Sequence, residues 1–152
     1  MKTVSNPGDK SELLSRLTHV TPTSARHWGR MTPHQMLCHL CDSFRAVVGQ
    51  KKVAPAPGMA GGRFIKYIAL YSPMSWPHGI KTRPEVDQEI GGTRPVEFAR
   101  DKQDLERLIE TFSRSQQDFA SYAHPAFGRM SRTQWHRWAY LHVDHHLRQF
   151  GA

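Results

Sequence analysis

Cysteine is scarce in this chain. Cys38 and Cys41 are the only two, so no disulfide framework is available and the fold must rest on a buried apolar core. The pair reads Cys38-His39-Leu40-Cys41. A thioredoxin-like redox pair belongs at a strand-to-helix junction, and c-type haem attachment needs histidine directly after the second cysteine, where Asp42 stands instead. A disulfide closed within one helical turn is strained. Both cysteines are therefore read as small buried residues.

Long apolar runs are also missing, none approaching the ~18 residues needed to cross a bilayer. Met1 to Lys10 has neither an apolar stretch of the signal-peptide kind nor a small-residue cleavage site, so the expected location is cytoplasmic. Acidic residues are in deficit, 13 against 21 Lys plus Arg, for a net charge of +8. Such a balance raises nucleic acid, an anionic surface or an anionic small molecule as a partner. The basic residues are scattered (Arg26, Arg30, Lys51, Lys52, Arg63, Arg129, Arg132, Arg137, Arg148) without a dense run or a nucleic-acid-binding fingerprint, and nucleic acid is not the expected partner. The 152 residues, 38% of them hydrophobic, suit a single domain able to bury a core of its own.

Two helix starts are written alike. Thr32-Pro33-His34-Gln35 supplies an N-cap threonine, a proline at the first helical position and a glutamine able to reach back to the cap, and Ser131-Arg132-Thr133-Gln134 repeats the capping box. The first opens a helix carrying Met36, Leu37, Leu40, Phe44, Val47 and Val48 to an end near Gly49. The second opens one carrying Trp135, Trp138, Ala139, His142 and His146 to an end at Gly151. A third long helix is expected from Asp101 to Tyr122, with Leu105, Leu108, Ile109, Phe112 and Phe119 on one face. A shorter one is expected over about 9–19, capped by Asp9 or Ser11, behind a flexible segment 1–8. Proline and glycine gather between residues 50 and 100, at Pro55, Pro57, Gly58, Gly61, Gly62, Pro73, Pro77, Gly79, Pro84, Gly91, Gly92 and Pro95. That stretch reads as a long crossover with room for one short helix around 63–71.

The histidines are the chemically suggestive residues. His142 and His146 lie about 40° apart around their helix, on the face that holds two tryptophans. Two inward imidazoles one turn apart either find hydrogen-bond partners or share a cation. His145 sits about 60° to one side, which makes it a poor third ligand. His39, inside the first capped helix, is the candidate third ligand; its other reading is a core histidine bonded to a backbone carbonyl or a water. His19, His27, His34, His78, His124 and His136 fall in loops, at helix starts or on outward faces and are read as surface residues.

The pattern Trp28-Gly29-Arg30-Met31-Thr32-Pro33-x-Gln35-Met36-Leu37-x-His39 is followed by His124-Pro125-x-Phe127-Gly128-x-Met130-Ser131-x-x-x-Trp135. Near the end stands Tyr140-x-His142-x-Asp144-His145-His146-Leu147-Arg148-Gln149-Phe150-Gly151. Together these resemble the DinB/YfiT-like superfamily, and more narrowly a branch of it catalogued as a domain of unknown function. The resemblance covers nearly the whole chain from about residue 9. It implies an all-α four-helix bundle in up-down-down-up order, a homodimer, and a divalent metal held by His39, His142 and His146. The chain departs from better-known members in its tail, where Leu147 separates His146 from Arg148, so substrate does not carry over from the thiol-transferase relatives.

Three neutral imidazoles leave a metal with open positions, as in catalytic sites. Zn²⁺ is expected first, with Ni²⁺ and Fe²⁺ open, because an all-imidazole set does not discriminate among them. The expected function is metal-dependent transfer, including S-transfer from a low-molecular-weight thiol, or hydrolysis of a small anionic or electrophilic molecule. Gln35, Asp42 and Gln149 are placed to support the ligands, and Trp76, His78 and Lys81 to line a pocket. Arg148 is read either as an anion-binding group or as a complement to its helix dipole. The rival expectations are a non-catalytic metal-binding or stress-associated module and a basic interaction protein with a water-filled histidine pocket.

Overall fold

The computed structural model describes residues 1–54, 62–116, 119 and 122–152. It is mostly helical: α1 (Pro7–Thr18), α2 (Pro33–Val47), α3 (Gly62–Tyr71), a 3-10 turn (Pro84–Val86), α4 (Phe98–Arg114) and α5 (Arg132–Gln149), with two-residue strands β1 (Ala123–His124) and β2 (Gly128–Arg129). Both capping boxes form as the sequence predicts. Thr32 Oγ1 accepts from Gln35 N at 3.1 Å while Gln35 Oε1 accepts from Thr32 N at 2.8 Å, and Ser131 and Gln134 repeat the exchange. α1 begins earlier than the Asp9 or Ser11 cap anticipates. Asn6 Oδ1 accepts from Asp9 N at 3.0 Å and Pro7 takes the first helical position. Within residues 1–8, expected to be flexible, Val4 is buried and its amide donates to His136 O at 3.2 Å, the Lys2 carbonyl accepts from Arg137 Nη1 at 2.8 Å, and Pro7 and Gly8 already belong to α1.

The expected 101–122 helix is corrected at both ends. It starts at Phe98 because the Glu97 carboxylate accepts from Ala99 N and Arg100 N at 3.0 and 3.1 Å. It stops at Arg114, with Ser115 in extended backbone. The serines at 113 and 115 hold a helix weakly, and Ser113 Oγ already bonds back to Glu110 O. Phe119 had suggested one more helical turn. It reaches the core by another route, stacking on Phe112 with ring centroids 5.0 Å apart. Gln117 and the loop signals Pro55, Pro57, Gly58 and Gly61 lie outside the described residues.

α2 packs against α4 and α5, α1 against α5 and α4, and α3 against α5. One core results, built from Leu13, Leu17, Met36, Leu37, Leu40, Phe44, Leu105, Ile109, Phe112, Trp135, Ala139, Val143 and Leu147. Among the described residues no helix is long and apolar enough to cross a membrane. The His124 to Met130 motif forms the β1–β2 hairpin, pairing Ala123 with Arg129 and His124 with Gly128. Gly128 adopts φ +66, a conformation that favours glycine.

The crossover is held by Asp42, a fully buried carboxylate on α2. It accepts from Thr93 N and Thr93 Oγ1, both at 2.7 Å, from Lys51 Nζ at 2.8 Å and from Gln88 Nε2 at 3.2 Å. At Gly92 a Cβ would fall 2.6 Å from Gln88 Nε2 and 2.8 Å from the Asp87 carbonyl carbon, so the turn that delivers Thr93 leaves no room for a side chain. Replacing Asp42 by alanine strands the Lys51 ammonium beside buried donors. We predict that Asp42→Ala lowers stability by roughly 3–5 kcal/mol, against about 1 kcal/mol for Thr93→Val, in urea denaturation. Equal, small losses would show that the crossover is not anchored here.

Candidate metal centre

The sequence-predicted ligands meet. Among the described residues, His39 on α2 and His142 and His146 on α5 bring one ring nitrogen each within 4.8 Å of one another. His39 and His146 are buried and His142 is half-buried. His39 Nε2 lies 3.2 Å from His142 Nε2, and the His146 ring stands 4.9 Å from that of His39 and 5.0 Å from that of His142 between centroids.

The outward nitrogens set the tautomers. His39 Nδ1 lies 2.8 Å from the Val86 carbonyl oxygen. A carbonyl only accepts, so Nδ1 carries the proton and Nε2 turns an unshared pair inward. His146 Nδ1 lies 2.8 Å from Gln149 Oε1, and Gln149 Nε2 donates to Trp28 O at 2.8 Å. The amide orientation assigned by that second bond makes Oε1 an acceptor, so His146 is likewise protonated on Nδ1. Gly29 permits the arrangement: at φ +76, a Cβ there would sit 2.7 Å from Gln149 Nε2. Three neutral imidazoles within reach of one another, two of them with hydrogen-bonded outer nitrogens and inward lone pairs, are a donor set that fits a divalent ion.

Burial is the leading cause that pushes the pKa of His39 down, and those of His142 and His146 well down. Their mutual proximity adds to this at His142 and His146. His142 faces Trp138 and Trp76, at centroid distances of 5.0 and 6.0 Å. Trp138 of α5 and Trp76 of the crossover thus stand beside His142.

The other sequence assignments sort as follows. His145 stays out of the ligand group, its ring among those of Trp28, Trp76 and His78. His78 is exposed and stacks on Trp28 at 3.9 Å, while Lys81 is exposed. Arg148 pairs with Asp144 at 3.1 Å and bonds Ser75 Oγ at 3.2 Å. Gln35 is occupied by the capping box. Asp42 holds the crossover, and Gln149 alone of the three supporting candidates hydrogen-bonds one of the three clustered histidines. His136, expected on the surface, is buried against the edges of Phe112 and Phe119. His124, also expected there, is half-buried against Phe127, Trp135 and Trp138, and burial pushes its pKa down to about 3. Its Nδ1 accepts from the amides of Ala126 and Phe127, a turn role that spacing alone does not announce. Cys38 and Cys41 are buried, as expected, and burial pushes both thiols up to about 12.

A family model described as "Protein of unknown function (DUF1569)" matches residues 68–152, more than half of the chain. The chain belongs to DUF1569. The matched span of this DUF1569 protein holds the crossover from α3 onward and all of α5 with His142 and His146, while His39 precedes it. No curated protein and no solved structure matches the chain.

Histidines held neutral by burial make the metal-free DUF1569 protein acid-labile. Each binds its proton more weakly folded than unfolded, so its contribution is complete above about pH 6.5 and is lost as pH falls toward the folded values. Those values are about 4 for His145 and about 3 for His124. After chelation, urea stability should fall between pH 7 and pH 5 by about 2 kcal/mol for each histidine that stays neutral. A flat profile across that interval would contradict the burial assigned to these rings.

Proposed function

We propose that this protein is a divalent-metal protein of DinB/YfiT-like type, with His39, His142 and His146 as ligands and Zn²⁺ as the first-choice ion. The observation that carries the reading is the pair of outer hydrogen bonds, His39 to Val86 O and His146 to Gln149 Oε1, which turn two lone pairs toward the space the three rings share. On this reading the four long helices are the up-down-down-up bundle that the resemblance implies, with 48–97 as the crossover between its second and third helices. The homodimer belongs to the same proposal. The exposed side chains of Phe64, Ile65, Tyr67, Ile68 and Tyr71 on α3 are apolar surface that such a contact would cover.

The function proposed is metal-dependent transfer or hydrolysis on a small molecule. A bound ion would lower the pKa of a thiol or water at its open position. The chain's residues divide the remaining work. Val86 O and Gln149 orient His39 and His146, and Trp76 and Trp138 give the neighbourhood of His142 an apolar lining. The paired state of Arg148 supports its structural role over an anion-binding one.

Chelator competition with Zn²⁺ tests the ligand set. His39→Ala and His142→Ala should weaken binding beyond the roughly 10–100-fold that loss of an outer-shell partner costs, Gln149→Ala should fall within that range, and His145→Ala should bind as the parent does. Equal losses at all four positions would sink the assignment. For the reaction, panels of esters, phosphates and amides beside thiol-transfer assays should give turnover that chelation abolishes, Zn²⁺ restores and His146→Ala lacks. A folded, zinc-loaded protein that turns over nothing would leave the non-catalytic module as the reading.

A further inference from the structure

α2 carries a second set of ligand-type side chains on another face. His34 and Cys38 are one turn apart and about 40° apart around the axis, and Cys38 is about 100° from His39. The first pair therefore turns toward α4 while His39 turns toward α5. Opposite them stands Asp101, in the first turn of α4. Asp101 Oδ2 lies 2.7 Å from His34 Nε2 and 3.6 Å from Cys38 Sγ, and it also accepts from Val96 N at 3.1 Å. One ligand atom from each of the three lies within 4.8 Å of the others.

We propose that His34, Cys38 and Asp101 form a second cation site, taking Zn²⁺, at the junction of α2 and α4. The separations suit the ion. Tetrahedral zinc with bonds of about 2.0–2.3 Å sets its ligand atoms about 3.3–3.6 Å apart, so His34 and Asp101 need only part slightly from hydrogen-bond distance. The charge also closes, since one thiolate and one carboxylate neutralise a divalent ion. In the metal-free arrangement both neighbours direct hydrogens at Asp101. On loading, the Cys38 S–H bond breaks, its proton leaves to solvent and an S–Zn bond forms. The His34 ring proton moves to Nδ1, which frees Nε2 to ligate, and Asp101 stays ionised throughout.

Access is from one side. The His34 and Asp101 side chains keep 22% and 17% of their surface while Cys38 is buried, which leaves the fourth position to water. Cys41 is not a ligand: its thiol is directed at the Asp101 carbonyl oxygen, 3.8 Å away. The ion would pin the start of α4, where the crossover ends, to the first two turns of α2. The site is independent of the three-histidine reading and differs from it in one measurable respect, the presence of sulfur.

Cobalt substitution of the chelator-stripped full chain exploits that difference. With excess Co²⁺ the parent should bind two ions and develop a near-ultraviolet thiolate-to-cobalt charge-transfer band, which an all-imidazole site does not produce. Cys38→Ser should lose the band and one of the two ions, and Asp101→Asn should weaken the band-forming event about tenfold or more. Cys41→Ser and His142→Ala should keep the band. Its absence from the parent decides against the site without recourse to any variant. A band that survives Cys38→Ser, or vanishes in Cys41→Ser, overturns the ligand assignment.

Discussion

The hydrogen bond from His39 Nδ1 to the carbonyl oxygen of Val86 is short, buried and one-directional. Because the carbonyl cannot donate, the bond fixes which nitrogen of His39 is protonated, which way the ring faces and where its free electron pair points. The geometry at the centre of the molecule depends on that choice. His142 approaches the unprotonated nitrogen, and His146 completes the group under a matching constraint from Gln149. Both constraints come from protein contacts, one from a backbone carbonyl and one from a side-chain amide.

Holding a carbonyl in place takes more than the residue that owns it. Val86 sits in a crossover of about fifty residues, and loops of that length hold position only when tied down. The ties converge on the segment around it. Asp42, on the same helix as His39 and nearly one turn on, gathers Thr93, Gln88 and Lys51. Arg30, just before α2, pairs with Asp87 and with Glu89. A buried carboxylate contributes little net stability compared with a well-packed apolar replacement. It does specify one arrangement, because any other leaves a charge and several donors unpaired. The same helix therefore presents His39 and fastens the strap that orients it.

Much of this was legible in the sequence where a local rule has few alternatives. The two capping boxes fixed where α2 and α5 begin, and helical phase then separated His142 and His146 from His145. Legibility failed where side-chain identity is silent or tertiary contacts decide. Val86 acts through its backbone, so no residue type marks it. Phe119 fits a helical period with Phe112, yet it reaches the core after α4 has ended. Polar side chains usually lie on the surface, but His124, in the β1–β2 hairpin, packs on Phe127, Trp135 and Trp138, and the Phe112–Phe119 stack covers His136. The His34–Asp101 contact joins residues 67 apart in the chain, and single-sequence periodicity carries no information over that span.

The central claim is that three imidazoles, held by protein contacts, constitute a metal centre. X-ray absorption at the zinc edge tests it most directly, on Cys38→Ser protein carrying one equivalent of Zn²⁺ so that no thiolate from the α2–α4 junction competes. The account predicts three imidazole nitrogens at about 2.0–2.1 Å with one further light ligand and no sulfur. A spectrum showing a single imidazole, or a shell of oxygens typical of loosely held surface zinc, would contradict it.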